Sequence, residues 1–242
     1  MKRKIIISAL CCLLGLLAVG GGVFALMYHL GMTDIQTNPK IIKDKSSLMC
    51  IGDSVTYGYG ISDRRTRSYP AVLNELFGDT ATVLSYAVSG STAQDTGDQP
   101  FTATPAYRAS LDTLEKEKID RVIIMLGSND SKPENWQGSE QFISYYDKLV
   151  GKYKKEGTKI YLCTPPAAFP VNSSHITSFD IDTDRVAEIG ELIRSYSEQQ
   201  GLELIDVYSF TVGHRELFQR DAVHPSAEGA AQLAQFIYNE IK

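Results

Sequence analysis

The chain alternates short apolar runs with longer segments in which apolar residues recur every three or four positions. Apolar runs of four to six residues that end near Gly, Pro or a polar residue are typical of strands buried on both faces. The longer segments have the spacing of amphipathic helices. The predicted strands are Leu48–Ile51, Ala81–Tyr86, Arg121–Leu126, Lys159–Cys163 and Glu203–Val207. The predicted helices are Tyr69–Leu76, Tyr107–Lys118, Glu140–Lys155, Asp184–Gln200 and Ser226–Ile241, the last with Ser226 placed as its cap.

This order of elements predicts an α/β fold. Strands that alternate with helices form a parallel sheet whose two faces are both covered by helices. We therefore expect a three-layer α/β/α sandwich with a parallel sheet of about five strands, similar to flavodoxin-like folds. In such sheets, binding sites form beyond the carboxyl ends of the strands. Functional residues should thus come directly after strands.

The N-terminus has a different pattern. A basic head, residues 1–4, precedes the uncharged and mostly apolar stretch 5–27. A helix of this length spans a bilayer core of ~30 Å. We predict one N-terminal transmembrane helix that acts as a signal anchor, the alternative being a signal peptide removed near Gly20–Gly22. The basic head should stay in the cytoplasm, so the rest of the chain should face outward.

The remainder divides into a linker and one domain. Residues 28–46 are largely polar and contain Pro39, which is typical of a linker, and the domain is predicted over 47–242. The chain carries a formal charge of −5, and removing the three basic residues of the head makes it −8. An acidic body argues against nucleic acid as a partner. The local cluster of Arg64, Arg65 and Arg67 is interpreted as a solvated loop, with anion binding as the alternative.

The cysteines do not indicate a disulfide framework or a metal site. Cys11 and Cys12 lie in the apolar stretch, and Cys50 and Cys163 lie in separate predicted strands. The Cys and His residues do not have the spacing of a zinc site. We expect no metal and no organic cofactor.

Candidate catalytic residues follow the predicted strands. Ser54 comes after the first strand, Gly90 after the second and Asn129 after the third, while Asp221 and His224 come after the last. A serine hydroxyl needs a base to take its proton, and imidazole can accept and return that proton near neutral pH. The base needs a third group that fixes its tautomer, and Asp221 lies three residues before His224.

These blocks, in this order, resemble the SGNH (GDSL-type) hydrolase superfamily over essentially the whole domain. The resemblance implies that Ser54 is the nucleophile, His224 the base and Asp221 its orienting acid. It also implies an oxyanion hole formed by the backbone N–H groups of Ser54 and Gly90 and by the side-chain amide of Asn129. The run after Gly52 departs from the Gly-x-Ser-x-Gly elbow, which disfavours the α/β-hydrolase fold.

Aromatic residues near these blocks are candidates for substrate binding. Tyr57 and Tyr59 lie in the loop Thr56–Tyr69, close to the nucleophile in sequence. Trp136 follows the third block, and we weigh two interpretations equally: a loop anchor in the core, or a wall of the substrate site on which a sugar can stack.

The sequence therefore predicts an extracytoplasmic serine esterase that acts on a small-molecule or glycan ester, with removal of O-acetyl groups from carbohydrate as the favoured reaction. A lysophospholipase, a short-chain lipase or a thioesterase is the alternative within the superfamily, and an acetyltransferase partner domain is a further one. A glycan-binding module without catalysis is the alternative of another class. The membrane is an expected partner through residues 5–27.

Overall fold

The computed structural model describes residues 38–170 and 175–242, together with Gly22. The basic head, the predicted membrane segment apart from Gly22, and the linker up to residue 37 lie outside the described residues. Across the described ranges, no helix combines the length and apolar character that a membrane crossing requires.

The sheet has five strands, and all of them are parallel. Its order is β2-β1-β3-β4-β5, which is the flavodoxin-like order. This confirms the predicted parallel sheet. The strands are β1 Ser46–Gly52, β2 Ala81–Ala87, β3 Arg121–Met125, β4 Lys159–Cys163 and β5 Glu203–Ile205.

The five predicted helices are present, each within two residues of its expected bounds, and three short helices accompany them. In chain order the helices of the described residues are α1 Ser54–Tyr57, α2 Arg64–Arg67, α3 Tyr69–Phe77, α4 Pro105–Lys116, α5 Ser139–Tyr153, α6 Thr183–Gln200, α7 Val207–Thr211 and α8 Ala227–Ile241.

The short helices account for the departures from the expected elements. The fifth strand was expected to extend to Val207, but Val207 begins α7 because the Asp206 side chain accepts a hydrogen bond from the Ser209 N–H and caps that helix. The arginine cluster was interpreted as a solvated loop, but Arg64 is buried. Its guanidinium carbon lies 3.5 Å from the centre of the Tyr57 ring.

Helices cover both faces of the sheet and give the three predicted layers. Successive side chains of a strand point to opposite faces. On one face, Met49 and Ile51 of β1 pack in a cluster with residues of α4, α5 and α6. On the other, Leu48 and Cys50 pack with residues of α3 and α8. Both described cysteines, Cys50 and Cys163, are free and buried, as expected for small residues of the core.

The start of α8 packs closely on the segment that precedes it. The Ser226 hydroxyl accepts a hydrogen bond from the Gly229 N–H at 3.0 Å, which confirms the predicted cap. A Cβ atom on Gly229 would lie 1.9 Å from the Leu217 carbonyl oxygen. The helix can therefore begin here only with glycine at this position.

This contact predicts opposite effects for two Gly→Ala changes in helices. Gly229→Ala should lower the free energy of unfolding by about 1–3 kcal/mol, because overpacking forces the backbone to shift. Gly151→Ala in α5 should raise it by about 0.5–1 kcal/mol, because nothing lies within 4 Å of the added methyl group and alanine loses less backbone entropy on folding. Urea unfolding measures both. A Gly229→Ala variant as stable as the parent would contradict the close approach.

Candidate active site

The predicted catalytic blocks meet at the carboxyl edge of the sheet. The chain leaves β1 for β2 on one side and returns to β3 on the other, so the loops after these strands flank the point where the strand order reverses. This is the position at which open α/β sheets bind ligands. Ser54, Gly90, Asn129 and His224 all line one cavity of about 510 Å³ at this edge.

Ser54 is held by a direct passage from strand to helix. A Cβ atom on Gly52 would lie 2.0 Å from the Thr56 hydroxyl oxygen and 2.8 Å from the Met125 carbonyl oxygen, so only glycine fits at the end of β1. The next residue, Asp53, caps α1 by accepting a hydrogen bond from the Val55 N–H at 2.9 Å. Ser54 is thereby fixed as the first residue of α1, beside the central strands.

Three side chains form a continuous hydrogen-bonded relay. The distance between Ser54 Oγ and His224 Nε2 is 2.9 Å, and that between His224 Nδ1 and Asp221 Oδ2 is also 2.9 Å. Both lie within hydrogen-bond range, in the geometry that a nucleophile, a base and an orienting acid require. Ser54 and His224 are buried, at 7% and 4% exposure. Three residues separated by up to 170 positions are thus in contact.

The turn that carries Asp221 and His224 is stabilised by the acid itself. Asp221 Oδ1 accepts hydrogen bonds from the N–H groups of Val223 and His224, both at 3.0 Å. Ala222 adopts a left-handed conformation with φ +67° to close the turn. Burial raises the pKa of the Asp221 carboxyl, but the hydrogen bonds and the charge of His224 lower it by more. The carboxylate is therefore held in its ionised form.

Gln219 links this turn to the loop after the nucleophile. Its side-chain amide donates to the carbonyl oxygens of Tyr59 and Pro225, at 2.7 and 2.9 Å. Its backbone N–H donates to the His224 carbonyl oxygen at 2.8 Å. The sequence analysis did not single out Gln219, because an isolated glutamine between a helical turn and a catalytic motif has no distinctive pattern.

The two further residues of the predicted oxyanion hole lie beside Ser54. Gly90 has φ +85°, a left-handed conformation that favours glycine. Asn129 begins a 3₁₀ turn after β3, and its Nδ2 donates to the Ser91 carbonyl oxygen at 3.1 Å and to Asp53 Oδ2 at 3.4 Å. The structure thus brings together both residues with Ser54, as the sequence predicts.

Two buried carboxyls support these loops from behind. Asp130 accepts hydrogen bonds from the N–H groups of Ala93 and Gln94, both at 2.9 Å. Burial raises the pKa of Asp130 to about 6. Burial, together with the charge of Asp130, raises the pKa of Asp53 to about 7 against the Val55 hydrogen bond, which lowers it. Both carboxyls shape loops through local hydrogen bonds.

Only one of the three aromatic candidates lies in the cavity. Tyr59 lines it and packs against His224, with 4.4 Å between the ring centres and 35° between the ring planes. Tyr57 is buried beneath Arg64 and lines a different cavity. Trp136 is half-buried and packs against Phe142 and the core cluster, so its position matches the loop-anchor interpretation.

Other lining residues were not predicted. Phe179 lies edge-on to His224, with 5.0 Å between the ring centres, and comes from the short stretch of described residues 175–182 that precedes α6. Such a segment has no periodicity from which its position could be read. Lys132 also lines the cavity, three residues after Asn129, and the rule that residues after strands form the site could have found it.

In the described ranges, no group of three or more His, Cys, Asp or Glu side chains is placed to hold a metal ion. The other described histidines lie outside the cavity. His175 faces Asp184 and His214 faces Glu216, and all four of these side chains are more than half exposed.

Comparisons with known proteins agree with this arrangement. The model of the GDSL-like lipase/acylhydrolase family matches residues 50–232. An acetylxylan esterase from Xylanibacter ruminicola is 32% identical over 227 residues, which is 86% of this chain and 45% of that protein. The chain therefore spans less than half the length of this relative.

Solved structures share the fold. A carbohydrate acetylesterase from Sinorhizobium meliloti has a TM-score of 0.66 at 19% identity, over 81% of this chain and 98% of that one. A lipase/acylhydrolase from Enterococcus faecalis has a TM-score of 0.61 at 21% identity, over 81% and 95%. These similarities establish the fold of the domain.

The raised pKa of Asp53 predicts how stability depends on pH. Between pH ~4 and ~7 the folded protein keeps a proton on Asp53 that the unfolded chain has released, so the free energy of unfolding falls as pH rises through this range.

The variant Asp53→Asn keeps an acceptor for the Val55 N–H and does not titrate at this position. The unfolding free energy of the parent minus that of Asp53→Asn should fall by up to about 1.4 kcal/mol per pH unit. Denaturant titrations from pH 4 to 8 measure it. Asp130 and Lys132 are present beside position 53 in both proteins. A difference that stays constant across this pH range would contradict the raised pKa of Asp53.

Proposed function

Because the chain belongs to the GDSL-like lipase/acylhydrolase family, we propose that it is a serine esterase that hydrolyses carboxylic esters through an acyl-serine intermediate. The observation that carries the proposal is the relay of Ser54, His224 and Asp221, joined by two hydrogen bonds of 2.9 Å, in which Ser54 and His224 line a cavity. A role of Ser54 as a helix cap alone would not account for the hydrogen bond between its hydroxyl and the buried imidazole of His224.

In the proposed reaction, Ser54 Oγ attacks the ester carbonyl carbon while His224 Nε2 takes the hydroxyl proton. The ionised Asp221 stabilises the imidazolium that forms. The tetrahedral intermediate then expels the alcohol, which receives the proton from His224, and the acyl group stays on Ser54. Water attacks this acyl-serine with His224 again as base, which releases the carboxylic acid and restores the serine.

The developing oxyanion would be bound by the N–H groups of Ser54 and Gly90 and by the Asn129 amide. One Asn129 hydrogen is directed to the Ser91 carbonyl oxygen at 3.1 Å. The contact to Asp53 is longer, at 3.4 Å, so the second hydrogen is only weakly held. We propose that this second hydrogen turns to the oxyanion as charge develops on the substrate.

We further propose that the acyl group is acetyl and that the alcohol is a carbohydrate. The acetylxylan esterase relative and the carbohydrate acetylesterase structure support this assignment. The cavity lining supports it as well, because the aromatic rings of Tyr59 and Phe179 lie alongside the polar side chains of Ser89, Gln99 and Lys132. Aromatic faces with a few polar groups suit a sugar ring.

The second candidate is a lipase, a lysophospholipase or a thioesterase of the same family. It is favoured by the apolar part of the lining, which is formed by Val88, Phe179, Ile181 and Val223. Such a surface could accept an acyl chain longer than acetyl. The catalytically silent glycan-binding module is disfavoured by the intact hydrogen-bonded relay.

The catalytic domain is further proposed to lie outside the cytoplasm, on the basis of the basic head and the apolar stretch 5–27 that follows it. A reporter fused after Lys242 of the full chain should be active when it requires export and inactive when it requires the cytoplasm. The reverse pattern would contradict the proposed orientation.

Acetate release from acetylated glycans tests the assignment. On p-nitrophenyl esters, kcat/KM should fall steeply from acetate to octanoate, whereas a preference for octanoate would favour the lipase.

A fluorophosphonate probe should label the protein but not Ser54→Ala. Asp221→Asn should lower kcat by on the order of 10²–10⁴, because the imidazole loses the group that sets its tautomer. Folded protein that neither reacts with the probe nor releases acetate would overturn the proposal.

A further inference from the structure

We propose that Lys132 selects esters in which the sugar carries a carboxylate, so that the preferred substrates are O-acetylated acidic carbohydrates. This inference rests on the proposed function of the site. It concerns the alcohol part of the substrate rather than the chemistry of the ester bond.

The first step is the distribution of charge in the cavity. The residues that line it in the described part of the chain include no Asp or Glu, and Lys132 is their one Lys or Arg. The body of the protein is acidic, with a formal charge of −8 beyond residue 30. The positive charge of Lys132 favours the binding of an anionic ligand at this cavity, although the negative net charge of the protein disfavours it.

The second step is the placement of Lys132. It follows directly after the 3₁₀ turn Asn129–Ser131, whose first residue is the proposed oxyanion donor. Its carbonyl oxygen accepts hydrogen bonds from the N–H groups of Asn135 and Trp136, both at 3.0 Å. The backbone of Lys132 is thereby fixed relative to the reacting centre. Its side chain is only 16% exposed, so its charge is partly shielded from solvent.

The third step is the weakness of its hydrogen bond to the protein. Lys132 Nζ lies 3.4 Å from Asp98 Oδ2, longer than the 2.7–2.9 Å of a strong charge-assisted hydrogen bond. The other Asp98 oxygen accepts a bond of 2.8 Å from the Asn135 amide, and the Asp98 side chain is 47% exposed. Asp98 thus orients the ammonium group without saturating its three donors.

The cavity also has space for a sugar. Its volume of about 510 Å³ is within the range of pockets that enclose whole small ligands, and an acetyl group fills only a small part of it. With the acetyl carbonyl at Ser54 and Asn129, the alcohol would extend along the remaining lining, which includes Lys132. A carboxylate on the sugar can then form the charge-assisted hydrogen bond that Asp98 makes only weakly.

The test compares two substrates of similar size and different charge: O-acetylated methyl glucuronoside, whose carboxylate is ionised at neutral pH, and the uncharged uronamide of the same sugar. The readout is the ratio of kcat/KM for the acid to kcat/KM for the amide, measured by acetate release within one protein. This ratio is independent of the folded fraction of a variant, and any change in the chemical step that both substrates share cancels in it. The protein should favour the acid by roughly tenfold, the effect of one charge-assisted hydrogen bond.

Four variants locate the source of this preference. Lys132→Gln should bring the ratio to about one or below, and Lys132→Arg should keep it above one. Lys118→Gln is the matched control, since it removes the same charge from an 86% exposed lysine just before β3, at the opposite edge of the sheet, and should leave the ratio unchanged. Asp98→Asn keeps an acceptor for Asn135 and removes the competing carboxylate, so its ratio should equal or exceed that of the parent.

The outcomes separate the inference from the function on which it rests. A parent ratio near one, or a parent-like ratio in Lys132→Gln, overturns the role of Lys132 while acetate release itself still supports the proposed function. Loss of the preference in Asp98→Asn shows instead that the ion pair is only structural. No acetate from either sugar, with none from p-nitrophenyl acetate, overturns the proposed function and this inference with it.

Discussion

The close packing at the end of β1 is the constraint on which the site depends. The backbone passes from the central region of the sheet into α1 with no space for a side chain at Gly52, because Thr56 and the Met125 carbonyl oxygen occupy that space. Strand β1 is bonded to β2 on one side and β3 on the other, so its end cannot move independently. The position of Ser54 is therefore fixed relative to the sheet. The loops that carry Gly90 and Asn129 follow the two neighbouring strands, so their positions are fixed relative to the same sheet.

The position of the base, His224, is set in a different way. His224 belongs to a turn before α8 rather than to a loop of the central strands, so its position must be set by local bonds. The Asp221 carboxylate supplies three of them, since one oxygen accepts from two backbone N–H groups and the other bonds to the imidazole. Gln219 then joins the turn to the loop of Tyr59 through a hydrogen bond. The close packing of Gly229 against Leu217 fixes the position at which α8 begins. One acid thus builds the turn and orients the base.

The sequence predicts the part of this design that depends on local pattern. The parallel sheet follows from the apolar runs, and the positions of Ser54, Gly90 and Asn129 follow from the rule that sites form where strands end. The rule does not place His224, because a helix and a 3₁₀ turn separate it from the end of β5. What it does not predict is the direction of side chains in the irregular segments. Tyr57 and Tyr59 are two residues apart, yet one is buried under Arg64 and the other faces His224, because the short helix α1 ends between them at Gly58, which has φ +81°. Phe179 reaches the site only through tertiary packing.

The same distinction separates the chemistry of the site from its selectivity. The atoms that would transfer the acyl group are held by the sheet edge and by the Asp221 turn, and each has a short hydrogen bond that fixes it. The groups that would contact the alcohol, among them Tyr59, Phe179 and Lys132, extend from three different loops. Lys132 stands between the two sets, because its backbone continues the rigid turn of Asn129 while its ammonium group has only the long contact to Asp98. Because the backbone of Lys132 is fixed and its ammonium group has hydrogen-bond donors to spare, the ammonium group can move to bind a substrate without displacing Asn129. Selectivity can therefore vary at this position while the catalytic geometry is retained.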